Sequence, residues 1–238
     1  MKMLGLIGGL SWESTALYYR LINTQVRDTL GGLHSAPLLM YSFDLDEIAT
    51  LQKTGAWDEA GAKLAQAARV LKEGGAQALV LCTNTMHCRA ADIEAVGLPL
   101  LHIGDATGEA VRAAGLSRVA LLGTRFTMEQ DFYRERLKTR FGIDCMVPDE
   151  AGRELVHRVI FEELCQGIIR DASRHAFVQI INRLIAHGAQ AVILGCTEIT
   201  LLLPPEAGHP WPVFDTTALH AAQAARFAMG QAALYDAA

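Results

Sequence analysis

Two cysteines in this sequence stand in matching surroundings. Cys82 ends the run ALVLC and is followed by Thr83, Asn84 and Thr85; Cys196 ends AVILGC and is followed by Thr197 and Glu198. A thiolate can remove a proton and a thiol can deliver one. Two sulfurs addressed to opposite faces of one carbon could therefore invert that centre, and exchanging their protonation states runs the reaction backwards. This is the chemistry of racemisation or epimerisation beside a carboxylate. The hydroxyl and amide groups after each cysteine, with the free backbone N–H groups of a helix start, suit a carboxylate and the charge that grows on it as it becomes enediolate-like. A helix start also lowers a nearby thiol's pKa from its free value of about 8.5. A lone cysteine at a strand end is most often an inert core residue. The repeated context reverses that reading for Cys82 and Cys196; Cys88, Cys145 and Cys165 lack it.

The elements that would position these residues are legible as well. Seven strand-length apolar runs occur: LGLIGG (4–9), PLLMYSF (37–43), ALVLC (78–82), PLLHI (99–103), RVALLGT (118–124), AVILGC (191–196) and PVFD (212–215). Most are unbroken rather than alternating, as strands are when a parallel sheet is covered on both faces. Between them, residues 14–28, 57–73, 105–114, 128–140, 150–167, 172–187 and 218–233 have helical spacing. The alternation predicts an α/β fold with mainly parallel sheets. In such sheets ligands sit beyond the carboxyl ends of the strands, which is where both cysteines fall.

The chain also repeats itself. LKEGGAQALVLCTNT (71–85) aligns with LIAHGAQAVILGCTEI (184–199), and GAQA recurs 113 residues on, at Gly188 after Gly75. Gly8 and Gly123 end equivalent first strands, and Pro99 and Pro212 open runs leading to Asp105 and Asp215. Four landmarks in one order at nearly one spacing predict an internal duplication. Related by a pseudo-two-fold axis, the two cysteines would flank one crevice. The expected lobes are 1–104 with a returning 206–238, and 105–205.

Other chemistries fit poorly. The five cysteines are an odd number and no secretory leader is evident, which predicts reduced thiols in a cytoplasmic setting. Acidic residues outnumber basic ones, 26 to 21, for a net charge of −5, and no Lys/Arg cluster stands out; neither a nucleic-acid nor a membrane partner is expected. No apolar stretch approaches the roughly 20 residues of a spanning helix. Cys82, His87 and Cys88 lie close together without the paired spacing of a zinc site, so no metal is expected. IGGLSWEST matches neither phosphate-binding glycine pattern, and the G-x-S-x-G of a serine hydrolase is absent.

The segments LGLIGGLSWEST (4–15), VLCTNTMH (80–87), VALLGTRFTMEQDFY (119–133) and ILGCTEI (193–199) together resemble the aspartate/glutamate racemase family, the amino-acid racemases that work without pyridoxal phosphate. The SWEST and CTNTMH forms are most similar to its broad-specificity bacterial branch. The resemblance spans essentially the whole chain. It implies two pseudo-symmetric Rossmann-like domains with the active site in the interdomain cleft, no cofactor, a small amino-acid substrate and a homodimer. It implies Cys82 and Cys196 as the acid/base pair. It places Thr83, Asn84, Thr85, Thr197 and Glu198 on the substrate, Ser11 and Thr124 at the ends of the first strands, and Gln52 at a substrate-contacting loop position. One departure bears on specificity. An aspartate-selective site calls for cations against the side-chain carboxylate, whereas the 44–56 stretch offers only Lys53 and the 155–167 stretch only His157 and Arg158. Hydantoin racemisation and maleate isomerisation use the same paired cysteines and remain alternatives, as does a non-catalytic small-molecule binder.

Overall fold

All seven apolar runs form strands in the computed structural model, which describes residues 1–231. The strands are β1 (Leu4–Gly8), β2 (Leu38–Ser42), β3 (Ala78–Leu81), β4 (Leu100–Leu101), β5 (Arg118–Gly123), β6 (Asp144–Met146), β7 (Val192–Gly195) and β8 (Val213–Asp215). The helices are α1 (Trp12–Leu30), α2 (Leu45–Thr54), α3 (Trp57–Glu73), α4 (Ala90–Glu94), α5 (Ile103–Ala113), α6 (Arg125–Glu129), α7 (Asp131–Phe141), α8 (Glu150–Glu162), α9 (Asp171–Ala186), α10 (Ile199–Leu202) and α11 (Thr216–Ala228).

The chain divides into two compact units, Met1–His102 with the segment from His220 onward, and Ile103–Leu219. Each contains one four-stranded parallel sheet. The orders are β2-β1-β3-β4 and β6-β5-β7-β8, one permutation used twice. The fold class is therefore α/β, as the alternation of runs predicts. The division falls inside α11, not after residue 205. The reason is that β8 pairs with β7, Val192 opposite Val213, which keeps residues 206–219 with the second unit. Residues 232–238 of the expected returning segment, and the end of the expected 218–233 helix, lie outside the described residues.

Strand alternation sorts the cores. In the first unit Leu4, Leu6, Val80 and Cys82 share a face with Tyr18, Ile22 and Val26 of α1 and with Ala221, Ala224, Ala225 and Phe227 of α11. Ile7, Leu79 and Leu81 face the other way, onto Leu64, Ala67, Ala68 and Leu71 of α3. In the second unit Leu122, Val192 and Leu194 pack on α8 and α9, with Cys196 against that cluster. Val119, Leu121 and Ile193 pack on Val111 of α5 and on Tyr133 and Leu137 of α7. The same α5–α7 layer is tied by Arg136, whose Nε and Nη2 donate to both oxygens of buried Asp105 at 2.6 and 2.8 Å.

Three segments differ from the sequence expectation. The 44–56 stretch is a helix, not a loop. Asp44 caps α2 by accepting from Asp46 N–H, and Gly55 closes it in the left-handed region. The expected 128–140 helix starts at Arg125, because Thr124 caps it there, and breaks at extended Gln130 into α6 and α7. The expected 150–167 helix ends at Glu162, where a 3₁₀ turn, Leu164–Gln166, leads to Gly167 at φ 72°.

Candidate active site

Each cysteine stands one residue past the carboxyl end of the strand beside β1 or β5. Ile7 pairs with Leu81 and Gly123 with Gly195, so Cys82 and Cys196 begin the loops at equivalent edges of their sheets. Cys82 N–H still donates to Ile7 C=O at 2.9 Å, which fixes the backbone at the sulfur. The Cys82 side chain is fully buried, and its Sγ lies 3.8 Å from Val80 C=O. Burial alone pushes its pKa well above the ordinary thiol value. Cys196 is half-buried and differently partnered: its Sγ donates to Glu198 Oε2 at 3.0 Å. Burial raises its pKa most, and the negative carboxylate and the bond donated to it raise it further.

The expectation that a helix start depresses both pKa values is overturned. A 3₁₀ turn of five residues, Thr85–Arg89, follows Cys82, and the four-residue α10 follows Cys196. Such short elements sum few peptide dipoles, while burial disfavours the charged form strongly. Burial therefore favours the neutral form of both thiols.

Ser11 and Thr124 play the same structural part in the two units. Ser11 Oγ accepts from Ser14 N–H at the start of α1, and Thr124 Oγ1 accepts from Thr127 N–H at the start of α6, both at 3.3 Å. The glycine before each turn lets the strand end press on the following helix. A Cβ on Gly8 would come within 2.4 Å of Thr15 Cγ2, and one on Gly123 within 2.8 Å of Gly195 C=O.

The structure gathers the remaining candidates into two sets. In the first unit Thr83, Asn84 and Thr85 follow Cys82, and Asn84 and Thr85 are buried. Gln52, on α2, donates from Nε2 to Met86 Sδ at 3.0 Å, which ties that helix to the turn after Cys82. In the second unit Thr197 Oγ1 lies 3.1 Å from Thr217 Oγ1, and Thr216 donates to Leu194 C=O at 2.9 Å. Asp215 accepts from Thr217 N–H and Ala218 N–H. Burial raises the Asp215 pKa, and those two bonds oppose the rise. The DTT start of α11 thus braces the Cys196 loop, a role for which the sequence offered only the Asp215 landmark.

A buried His/Tyr cluster under the Cys82 loop was not assigned from sequence. His87 Nδ1 is 2.7 Å from Thr83 C=O, His220 Nε2 is 2.7 Å from Leu101 C=O, and His220 Nδ1 is 2.8 Å from Tyr18 Oη. A carbonyl only accepts, so His87 donates from Nδ1 and His220 from Nε2; in the neutral ring His220 Nδ1 is then the acceptor for Tyr18 O–H. His87 also packs edge-on against His102, ring centroids 4.5 Å apart. Lys53 and Arg158 are exposed, as are Trp12 and Glu13. His157 is half-buried and accepts from Arg125 N–H beside Thr124; burial and the Arg125 charge lower its pKa. Among the described residues no group of three or more His, Cys, Asp or Glu side chains is arranged to hold a metal ion.

The profile of the Asp/Glu/Hydantoin racemase family matches residues 7–224. The chain belongs to that family. Solved structures agree. A candidate Asp/Glu racemase from Yersinia pestis is 54% identical and superposes with a TM-score of 0.91, over 96% of this chain and 100% of the other. An aspartate racemase homologue from Pyrococcus horikoshii OT3 is 32% identical at a TM-score of 0.83, over the same shares. The aspartate racemase of Picrophilus torridus, 20% identical at 0.72 over 97% and 95%, extends the likeness in fold alone. Family membership places this chain among the isomerases. Among the described residues of this racemase-family chain, no helix is long and apolar enough to cross a membrane.

Proposed function

We propose that this enzyme interconverts the L and D forms of an amino acid, aspartate, glutamate or a related polar one, with Cys82 and Cys196 as its acid/base pair. One observation carries the reading: each of two sheets of identical strand order presents one cysteine at the same carboxyl edge, on the strand beside its first. Relatives named as aspartate and Asp/Glu racemases support the substrate class.

In the proposed reaction one sulfur takes the α-proton, the electron pair spreads into the substrate carboxylate, and the other sulfur protonates the opposite face. No external redox partner is needed, since one proton leaves carbon and one returns. Thr83, Asn84, Thr85 and Thr197 follow the sulfurs directly and supply donors for the carboxylate, while Ser11, Thr124 and Gln52 shape the neighbouring turns. Burial serves the acid role, because it keeps a thiol protonated until the carbanion forms.

The test is incubation of L- and D-amino acids in heavy water, reading α-deuterium and enantiomer composition. The wild-type chain should label and invert aspartate or glutamate, with activity retained after chelation and without pyridoxal phosphate. Cys82→Ala and Cys196→Ala should each lose racemisation by at least about 1,000-fold, and the double variant should be no worse, because the pair acts as a unit. Each single variant should still exchange the α-hydrogen of one enantiomer, the two variants choosing opposite ones. Near-normal racemisation by either variant would refute the two-base reading. Inversion of hydantoins with no reaction of amino acids would move the chain to the family's other named substrate class.

A further inference from the structure

The two sulfurs are not equivalent. Two residues past Cys82 stands Asn84, whereas two residues past Cys196 stands Glu198, and the Cys196 thiol donates directly to the Glu198 carboxylate. The sequence resemblance makes Glu198 a substrate contact. The geometry gives it another use, because its Oε2 is 3.0 Å from a sulfur that must gain and lose protons.

We infer that Glu198 is a catalytic residue that takes the Cys196 proton when Cys196 acts as base, so that Cys196 and Glu198 work as one base while Cys82 works alone. This rests on the reading that both thiols act at the α-carbon. The pair shares one proton and carries one negative charge. As the substrate Cα–H bond breaks, its proton bonds to Cys196 Sγ, and the proton already on Sγ moves along the existing hydrogen bond to Oε2. The Cα electron pair passes into the substrate carboxylate. The Cys82 S–H bond then breaks, its proton bonds to the opposite face of Cα, and the electron pair stays on Cys82 as thiolate. The products are the inverted substrate, a Cys82 thiolate, a Cys196 thiol and a protonated Glu198. Return of the Glu198 proton to Cys82 through solvent restores the starting state.

The arrangement answers a difficulty in the site. A buried thiol whose ionisation is disfavoured is a poor base at neutral pH. A thiol already bonded to a carboxylate needs no separate ionisation, because the negative charge is present on the pair from the outset. The resting enzyme therefore contains one acid, Cys82, and one base, the Cys196–Glu198 pair, with no prior proton transfer.

The decisive experiment is Glu198→Gln in two backgrounds, reading α-deuterium exchange for each enantiomer. In Cys82→Ala, where exchange depends on Cys196, Glu198→Gln should lower the rate by about 100-fold or more, the scale of a lost acid/base group. The rate should recover at alkaline pH as the thiol ionises unaided, and Glu198→Asp should restore part of it at neutral pH. In Cys196→Ala, where exchange depends on Cys82, the same substitution should cost far less, under about tenfold. Equal losses in both backgrounds would overturn the inference and return Glu198 to substrate binding. An unchanged rate in Cys82→Ala would overturn it too. If neither single-cysteine variant exchanges either enantiomer, the racemase reading itself fails, and this inference with it. A wild-type-like pH–rate profile for Glu198→Gln in the otherwise unaltered chain would sink the inference alone.

Discussion

The contrast between Cys82 and Cys196 shows which residue properties a sequence displays. Their positions were readable, because repetition of GAQA, strand and cysteine marks both at once. Their protonation was not. It depends on burial in the core, which arises only when distant segments pack, and on the local turn that brings the Glu198 carboxylate, two residues on, to 3.0 Å from the Cys196 sulfur. His87 was equally opaque, since its acceptor, Thr83 C=O, is a backbone atom and its ring neighbours come from residues 102 and 220. These contacts have a measurable weight. Tyr18→Phe removes the donor to His220 Nδ1 and should cost about 1 kcal/mol in urea unfolding. His87→Leu removes the donor to the half-buried Thr83 carbonyl and should cost about 1 kcal/mol. The second substitution should also slow exchange at Cys82 more than at Cys196, because it loosens only the Cys82 loop.

Among the elements, the long buried runs declared themselves and the short or edge ones did not. All seven apolar runs became strands, and the 57–73 helix was read to the residue. β6 was missed because three residues at a sheet edge, half open to solvent, need no sustained apolar run. α2 was missed because it buries only Ile48, although its caps, Asp44 and Gly55, were there to be seen. The turn after each first strand depends on glycine more strictly than its apolar context suggests. Gly123→Ala would force Cβ to within 2.8 Å of Gly195 C=O, a backbone atom in the adjoining strand that cannot swing away. The expected cost is about 1–3 kcal/mol, on the scale of overpacking a core. A chemical-denaturation midpoint lower than that of Gly115→Ala would not test this, since Gly115 has positive φ and open space; Ala120→Gly, a cavity in β5, is the better comparison.

For the molecule as a whole, the thiols set a stability limit on the alkaline side. Burial raises Cys88 to about 11 and Cys145 to about 12 from an ordinary value near 9. The unfolded chain therefore releases these protons at lower pH than the folded one. Their contribution is fully present below about pH 9 and is lost as pH rises through 11 and 12. The thermal midpoint should hold steady from pH 7 to 8.5 and fall from pH 9 to 11, and Cys145→Ala should flatten part of that fall. The α/β class and the duplication were legible in the residues, but the point where the first unit resumes was not, since PVFD could close either sheet until its pairing with β7 was known. That discontinuity matters during synthesis. Residues 1–102 leave the ribosome without Ala221, Ala224, Ala225 and Phe227, which cover the face formed by Leu4, Leu6, Tyr18 and Ile22. The second unit, continuous in sequence, can mature first, while the earlier-born half waits uncovered for its own last helix. Nascent chains stalled before residue 220 should protect second-unit amides from hydrogen exchange while leaving β1 and α1 labile and open to chaperones, and extension past residue 231 should close them together.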